Sequence, residues 1–103
     1  MSDQEPIAPD EGVEMWLDHQ RSTRADSTIQ SYGYRLAPFV EWCEKEGIED
    51  LAELSSRDVF RFESDRRGED LTIATLSNQI GTLKRFLAFA ARIEAVDDDL
   101  PQK

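Results

Sequence analysis

The sequence predicts an all-α fold of four helices, on three observations. Apolar side chains recur at three- and four-residue intervals in four separate windows. Each window starts or stops at a capping or chain-breaking residue. Nowhere does the chain show the apolar–polar alternation of a half-buried strand. Its 103 residues suit a single domain, and nine aromatic side chains suffice for one modest core.

Residues 1–9 hold two prolines and no periodicity, and read as a flexible arm. Asp10 is placed to cap a first helix, with Glu11 and Glu14 favourable at its N-terminal end. Val13, Trp16 and Leu17 share one face, and this helix is expected to end near Gln20. A second helix is expected from an N-cap at Ser27. Ile29, Tyr32, Leu36, Phe39, Val40 and Cys43 form its stripe, and Gly47 is its natural stop. Pro38 removes a backbone donor and crowds the carbonyl of Tyr34, which calls for a kink or a break. The stripe continues across it, which favours the kink.

Residues 48–54 connect. Ser55-Ser56-Arg57-Asp58 has the form of a capping box, with Asp in place of Glu, and Leu54 and Val59 hold the places of a hydrophobic staple. Val59, Phe60 and Phe62 are expected on the buried side of a third helix that Gly68 ends. The fourth helix opens at Thr72 and runs to about Ile93. Ile73, Leu76, Ile80, Leu83, Leu87 and Ala90 make its apolar stripe, with Phe86, Phe89 and Ile93 beyond the edge. Its far side carries Asn78, Gly81, Thr82, Arg85 and Arg92. The folded domain is thus expected over residues 10–96, followed by an acidic tail over 97–103.

The charge is unevenly spread. The chain has 22 acidic and 12 basic side chains, a net charge of -10. An even scatter would put about five acids in a 23-residue window. Residues 71–93 have none, and carry Lys84, Arg85 and Arg92. Residues 19–40 set Arg21, Arg24 and Arg35 against the one acid Asp26. A strongly acidic protein ordinarily repels a polyanion, so two acid-poor amphipathic segments point to a surface that approaches one. The acid excess with three lysines against nine arginines resembles the composition of salt-in halophile proteins. An ordinary acidic interaction module is the competing account.

Several classes are excluded or unsupported. The single cysteine, Cys43, rules out an internal disulfide and a cysteine zinc site, and its place on an apolar helical face suits a buried thiol. With one histidine and no metal-ligand spacing, no cofactor or metal is expected. No apolar run reaches membrane-spanning length and the first twenty residues are acidic, so the chain reads as cytoplasmic, with no membrane partner.

Three stretches carry a resemblance to a known family. Ser27-Thr28-Ile29 followed by Tyr32, Leu36 and Phe39 is similar to a "T…Y…L…F" second helix. Leu54-Ser55-Ser56-Arg57-Asp58-Val59 is similar to an "I-T-x-x-D-V/I" third-helix start. Thr72 to Phe89 resembles a final helix "S-x-x-T-I-x-x-x-L-S-x-L-R-x-F", anchored by Thr75-Leu76 and Leu83-Lys84-Arg85-Phe86. Their order resembles the N-terminal core-binding domain of tyrosine recombinases and phage integrases over about residues 10–96. The resemblance implies a SAM-like orthogonal four-helix bundle that clamps double-stranded DNA with its second and fourth helices. It also implies a C-terminal catalytic domain and other recombinase protomers as partners. Two features depart from the pattern. The "N-P" after the fourth helix is replaced by Asp97-Asp98-Asp99-Leu100-Pro101, and the family's His-x-x-Arg element is absent, His19 being followed by Gln20-Arg21-Ser22. The chain alone is therefore expected not to cut DNA, as a fragment or a small protein that keeps the binding half.

The resemblance and the acid-poor segments coincide. On the second helix they select Arg24, Thr28, Ser31 and Arg35; on the fourth, Thr75, Asn78, Gln79, Thr82, Lys84 and Arg85. Helix side chains of this length reach base edges or phosphates in a major groove, and most such contacts are to phosphate. Thr28 and Ser27 serve equally well as caps, Ser31, Arg35, Asn78 and Gln79 as a solvated face, and the Lys84 stem as a cover for the core. Arg57, Arg61, Arg66 and Arg67, mixed with Asp58, Glu63 and Asp65, read as local ion pairs. Tyr32 reads as core. The rival reading is a SAM-like protein-interaction module that uses exposed aromatics, with Tyr34, Trp42 and Phe89 as candidates; their burial discriminates the two.

Overall fold

Among residues 5–100, which the computed structural model of the chain describes, four helices and one short turn form. They are α1 (Pro9–Gln20), α2 (Asp26–Lys45), a 3-10 turn (Leu51–Glu53), α3 (Ser56–Arg67) and α4 (Ile73–Arg92). The all-α four-helix prediction holds. Helix α1 starts with Pro9 at its first position, where the missing amide costs nothing. Its orphan donors go to acids: Asp10 accepts the Glu11 amide at 2.9 Å, and Glu11 accepts the Ala8 amide at 3.2 Å. Helix α2 opens two residues earlier than expected. Ala25 occupies the N-cap without a side-chain bond, Asp26 meets the positive end of the helix, and Ser27 lies inside it.

Pro38 does not break α2, which runs unbroken from Asp26 to Lys45. The helix closes in a Schellman motif: Ile48 donates to the Cys43 carbonyl at 2.9 Å and Gly47 to Glu44 at 3.2 Å, with Gly47 at φ 76°. The capping box of α3 forms as read. Ser55 Oγ accepts the Asp58 amide and Asp58 accepts the Ser55 amide, both at 3.1 Å, and the staple residues Leu54 and Val59 are buried. Thr72 caps α4 by accepting the Thr75 amide at 3.1 Å.

The core is organised by aromatic rings. Trp16 of α1 stacks on Tyr32 of α2 at 5.0 Å and meets Phe86 of α4 edge-on at 6.2 Å. Phe86 continues to Phe39 (6.2 Å), Phe39 to Phe62 of α3 (5.5 Å) and Phe62 to Trp42 (5.8 Å). The Trp42 indole donates to Asp65 at 2.8 Å, which satisfies its one polar atom and ties α3 to α2.

Four expectations about burial are corrected. Phe60 is 64% exposed: one residue from Val59 and two from Phe62, it is rotated off the face that those two bury. Phe86, placed beyond the edge of the α4 stripe, is fully buried, whereas Ile73, placed on it, is 87% exposed. No residue of α4 from 73 to 81 is fully buried; Leu76, Gln79 and Ile80 are half-buried, Ile80 against the core. At the chain's ends the domain is larger than 10–96. Ile7 packs against the core and accepts the Leu51 amide at 2.8 Å, so the expected arm is tied down there; its residues 1–4 lie outside the described ones. Leu100, expected in a polar tail, is 4% exposed in the core; residues 101–103 lie outside the described ones.

Two predictions follow from packing and burial. Gly12 faces the 3-10 turn so closely that a Cβ would stand 2.5 Å from Leu51 Cδ1, itself fully buried. Gly12→Ala is expected to lower unfolding free energy in urea by about 1–3 kcal/mol although alanine is the better helix former. Cys43 is fully buried, and desolvation, then Asp58 and Glu44, push its thiol from 9.0 up to about 12. The folded thiol stays neutral where the unfolded one ionises. This contribution is therefore complete below about pH 9 and is lost, by about 1.4 kcal/mol per pH unit, as pH rises toward 12. Urea titrations between pH 8 and 11 should show the stability gap between the wild type and Cys43→Ala narrowing over that window.

Candidate nucleic-acid interface

Two grooves open along the seam between α2 and α4. The first, about 270 Å³, is lined by Tyr34 and Arg35 of α2 and by Thr75, Asn78 and Gln79 of α4. The second, about 350 Å³, is lined by Arg24 and Tyr32 on the α2 side, by Arg85, Ala88, Phe89 and Arg92 of α4, and by Trp16, His19 and Gln20 of α1. No carboxylate lines either groove. In sequence the α4 contribution is one stripe, 75-78-82-85-89-92, alternating steps of three and four.

The cations here differ from those elsewhere. Arg21 pairs with Asp18, Arg61 with Glu46 at 2.6 Å and Asp58 at 3.3 Å, and Arg67 with Glu63 at 3.9 Å. Among the described residues, Arg24, Arg35, Lys84, Arg85 and Arg92 have no carboxylate within 4.0 Å. Their partners, where they have any, are neutral. Arg85 donates to the Tyr32 hydroxyl at 3.1 Å, and Arg24 donates to Gln20 at 3.5 Å. The expected ion-pair group on α3 splits: Arg61 and Arg67 pair as read, Arg66 instead donates to the Gln79 side-chain carbonyl at 3.0 Å, and Arg57 has no ion pair among the described residues.

The selected residues are thus sorted by the fold. Arg35, Thr75, Asn78 and Gln79 come together in the first groove, and Arg24 and Arg85 in the second. Thr28 and Ser31 are half-buried on α2 and line neither; Lys84 is exposed but lines neither. Thr82 requires correction. It is 3% exposed, on the α4 stripe that faces α2 between the two grooves, and its hydroxyl is out of reach of a ligand. His19, Gln20, Tyr32, Phe89 and Arg92 were not selected from sequence. Phe89 and Arg92 had a local signal, four and seven residues beyond Arg85 on the same helical line; Tyr32 arrives through the packing of α2, and His19 and Gln20 through that of α1. Of the three aromatics that discriminate the rival reading, Trp42 is buried, Phe89 is half-buried and Tyr34 is 71% exposed.

Residues 13–94 match the family described as phage integrase, N-terminal SAM-like domain. The crystal structure of the N-terminal domain of a phage integrase/site-specific recombinase from Haloarcula marismortui is similar throughout. It superposes with a TM-score of 0.93 at 39% sequence identity, over 96% of this chain and 95% of that one. The chain belongs to the phage integrase N-terminal SAM-like family, and corresponds to that N-terminal domain and not to a catalytic one.

Burial of Thr82 yields a prediction. Thr82→Arg adds a cation to an acid-free helix, and an exposed position would accept it. At this buried position it is expected to destabilise the fold by about 3 kcal/mol or more, read as a drop in the thermal midpoint.

Proposed function

We propose that this domain binds double-stranded DNA along the α2–α4 seam, as the binding half of a site-specific recombinase. The observation that carries the reading is charge segregation. In a chain of net charge -10, both seam grooves are free of carboxylates, and Arg24, Arg35, Arg85 and Arg92, which line them, have none as a partner. An arginine without an internal counter-charge keeps its full attraction for phosphate, and its contact releases a condensed counterion. Asn78, with Thr75 beside it, stands where a base edge would be read, and Arg35 where the backbone would be held.

Strand cleavage belongs, in this reading, to a C-terminal catalytic domain, and tight specific binding to that domain together with neighbouring protomers. The acid-rich remainder and the similarity to a protein of Haloarcula marismortui, a halophile, support work at high salt. The interaction-module reading retains little: Trp42 is committed to the core, and the exposed Tyr34 lines the same groove as Arg35.

A heteronuclear NMR titration with a short duplex at two salt concentrations tests the proposal. Resonances of Tyr34, Arg35, Thr75, Asn78 and Gln79 are expected to shift, and less so as salt rises. Arg35→Gln should lower the slope of log affinity against log salt by about 1. A folded protein that gives no response at low salt would refute it.

A further inference from the structure

The second groove is more than a continuation of the seam. Its walls combine three guanidiniums, Arg24, Arg85 and Arg92, with the His19 ring and the Gln20 amide, over a floor of Trp16, Tyr32 and Phe89. These come from three places in the chain: the end of α1, the turn and helix that follow it, and the last two turns of α4. Its 350 Å³ lies at the small end of ligand-pocket sizes, which run from roughly 300 to 1,000 Å³. We propose that this pocket seats one phosphodiester of the DNA backbone, so that the end of α1 joins α2 and α4 in the interface. The proposal rests on the DNA reading above for the source of the phosphate; the pocket's preference for a phosphate group rests on its own chemistry.

That chemistry is specific. Guanidinium presents a planar fork of donors that matches phosphate oxygens, and three of them line one cavity that holds no carboxylate to neutralise them. The floor makes the site firm. Tyr32 is buried against Trp16 at 5.0 Å, and its hydroxyl oxygen accepts from Arg85, so the core fixes one of the three forks. Because that oxygen accepts, its own proton remains available to donate into the pocket. His19 lies 5.4 Å from Phe89, which holds the imidazole at the rim, and Arg24 is steadied by Gln20. Tyr32 is in this account a positioning residue for Arg85. The pocket begins one turn beyond buried Thr82 on the α4 stripe, about 9 Å along the axis from Gln79 of the first groove.

The test uses the folded chain with two probes, a short duplex and inorganic phosphate, read through the Trp16 indole and the His19, Ala88 and Arg92 resonances. With duplex these are expected to shift together with Arg35 and Asn78. Arg92→Gln should abolish the pocket shifts, keep those of Arg35 and Asn78, and lower the salt slope by about 1. Tyr32→Phe, which keeps the ring, should weaken the pocket response through the freed Arg85 side chain and also spare the first groove. Unchanged Leu36 and Phe86 amides certify the fold of each variant. Shifts at Arg35 and Asn78 with a silent pocket, or an unaltered slope in Arg92→Gln, would overturn the phosphate seat and leave the DNA reading standing. A pocket that answers inorganic phosphate while no residue answers duplex would overturn the backbone assignment and the DNA reading together. Silence toward both probes would overturn the seat outright.

Discussion

The six-ring aromatic chain is the constraint on which the rest of the molecule depends. Tyr32, Trp16, Phe86, Phe39, Phe62 and Trp42 touch in that order, and between them they belong to all four helices. Each fully buried ring contributes on the order of 1.5–3 kcal/mol by leaving water, and favourable ring pairs add about 0.5–1.5 kcal/mol more. Together with the aliphatic side chains packed around them, these contacts set which face of each helix turns inward. The faces that turn outward follow from them. The chain of rings also ends in polar atoms at both sides. Trp42 hands its indole proton to Asp65, and Tyr32 offers its oxygen to Arg85. The core therefore reaches directly into the seam, and a side chain that would otherwise sweep through solvent is held there.

Charge is arranged by the same packing. Acids and bases mingle on α3, where Arg61 and Arg67 sit within reach of Asp58, Glu46 and Glu63 and neutralise them locally. Exposed pairs of this sort add little stability; their effect is to spend positive charge where it is not needed. Helix α4 has no acids at all, so its arginines keep their field. At high ionic strength such a field is short-ranged, falling off over about 3 Å at 1 M salt. Contacts that survive there must be direct and geometrically shaped, which a walled groove supplies and a bare convex helix does not.

Much of this was legible in the sequence because its signals are local. The four helices, the Ser55–Asp58 box, the Gly47 stop and the passage of α2 across Pro38 all follow from spacing and from residues that cap or interrupt. The losses arise in the packing between helices. Ile73 was misplaced because periodicity gives a helix's apolar face but not how far along it a neighbour extends, and Phe60 and Phe86 because spacing leaves the edges of that face open until its neighbours are packed. Thr82 reads as a polar groove residue until α2 is laid over that turn. His19 and Gln20 lie more than sixty residues from Arg85, and nothing in their own surroundings announces the meeting. The cap of α2 fell to Ala25 instead of Ser27, a difference of two residues at a helix end, where boundaries are softest.

Leu100 has a mechanical consequence. It lies beyond three consecutive aspartates that face water, yet its side chain is sealed into the core, and its amide donates back to the Asp97 carbonyl at 3.1 Å. The acidic run is thus a short strap pinned at both ends, by Val96 and by Leu100. A pull at residue 100 therefore acts first on a side chain buried in the core, and reaches the acidic strap only after that anchor has given way.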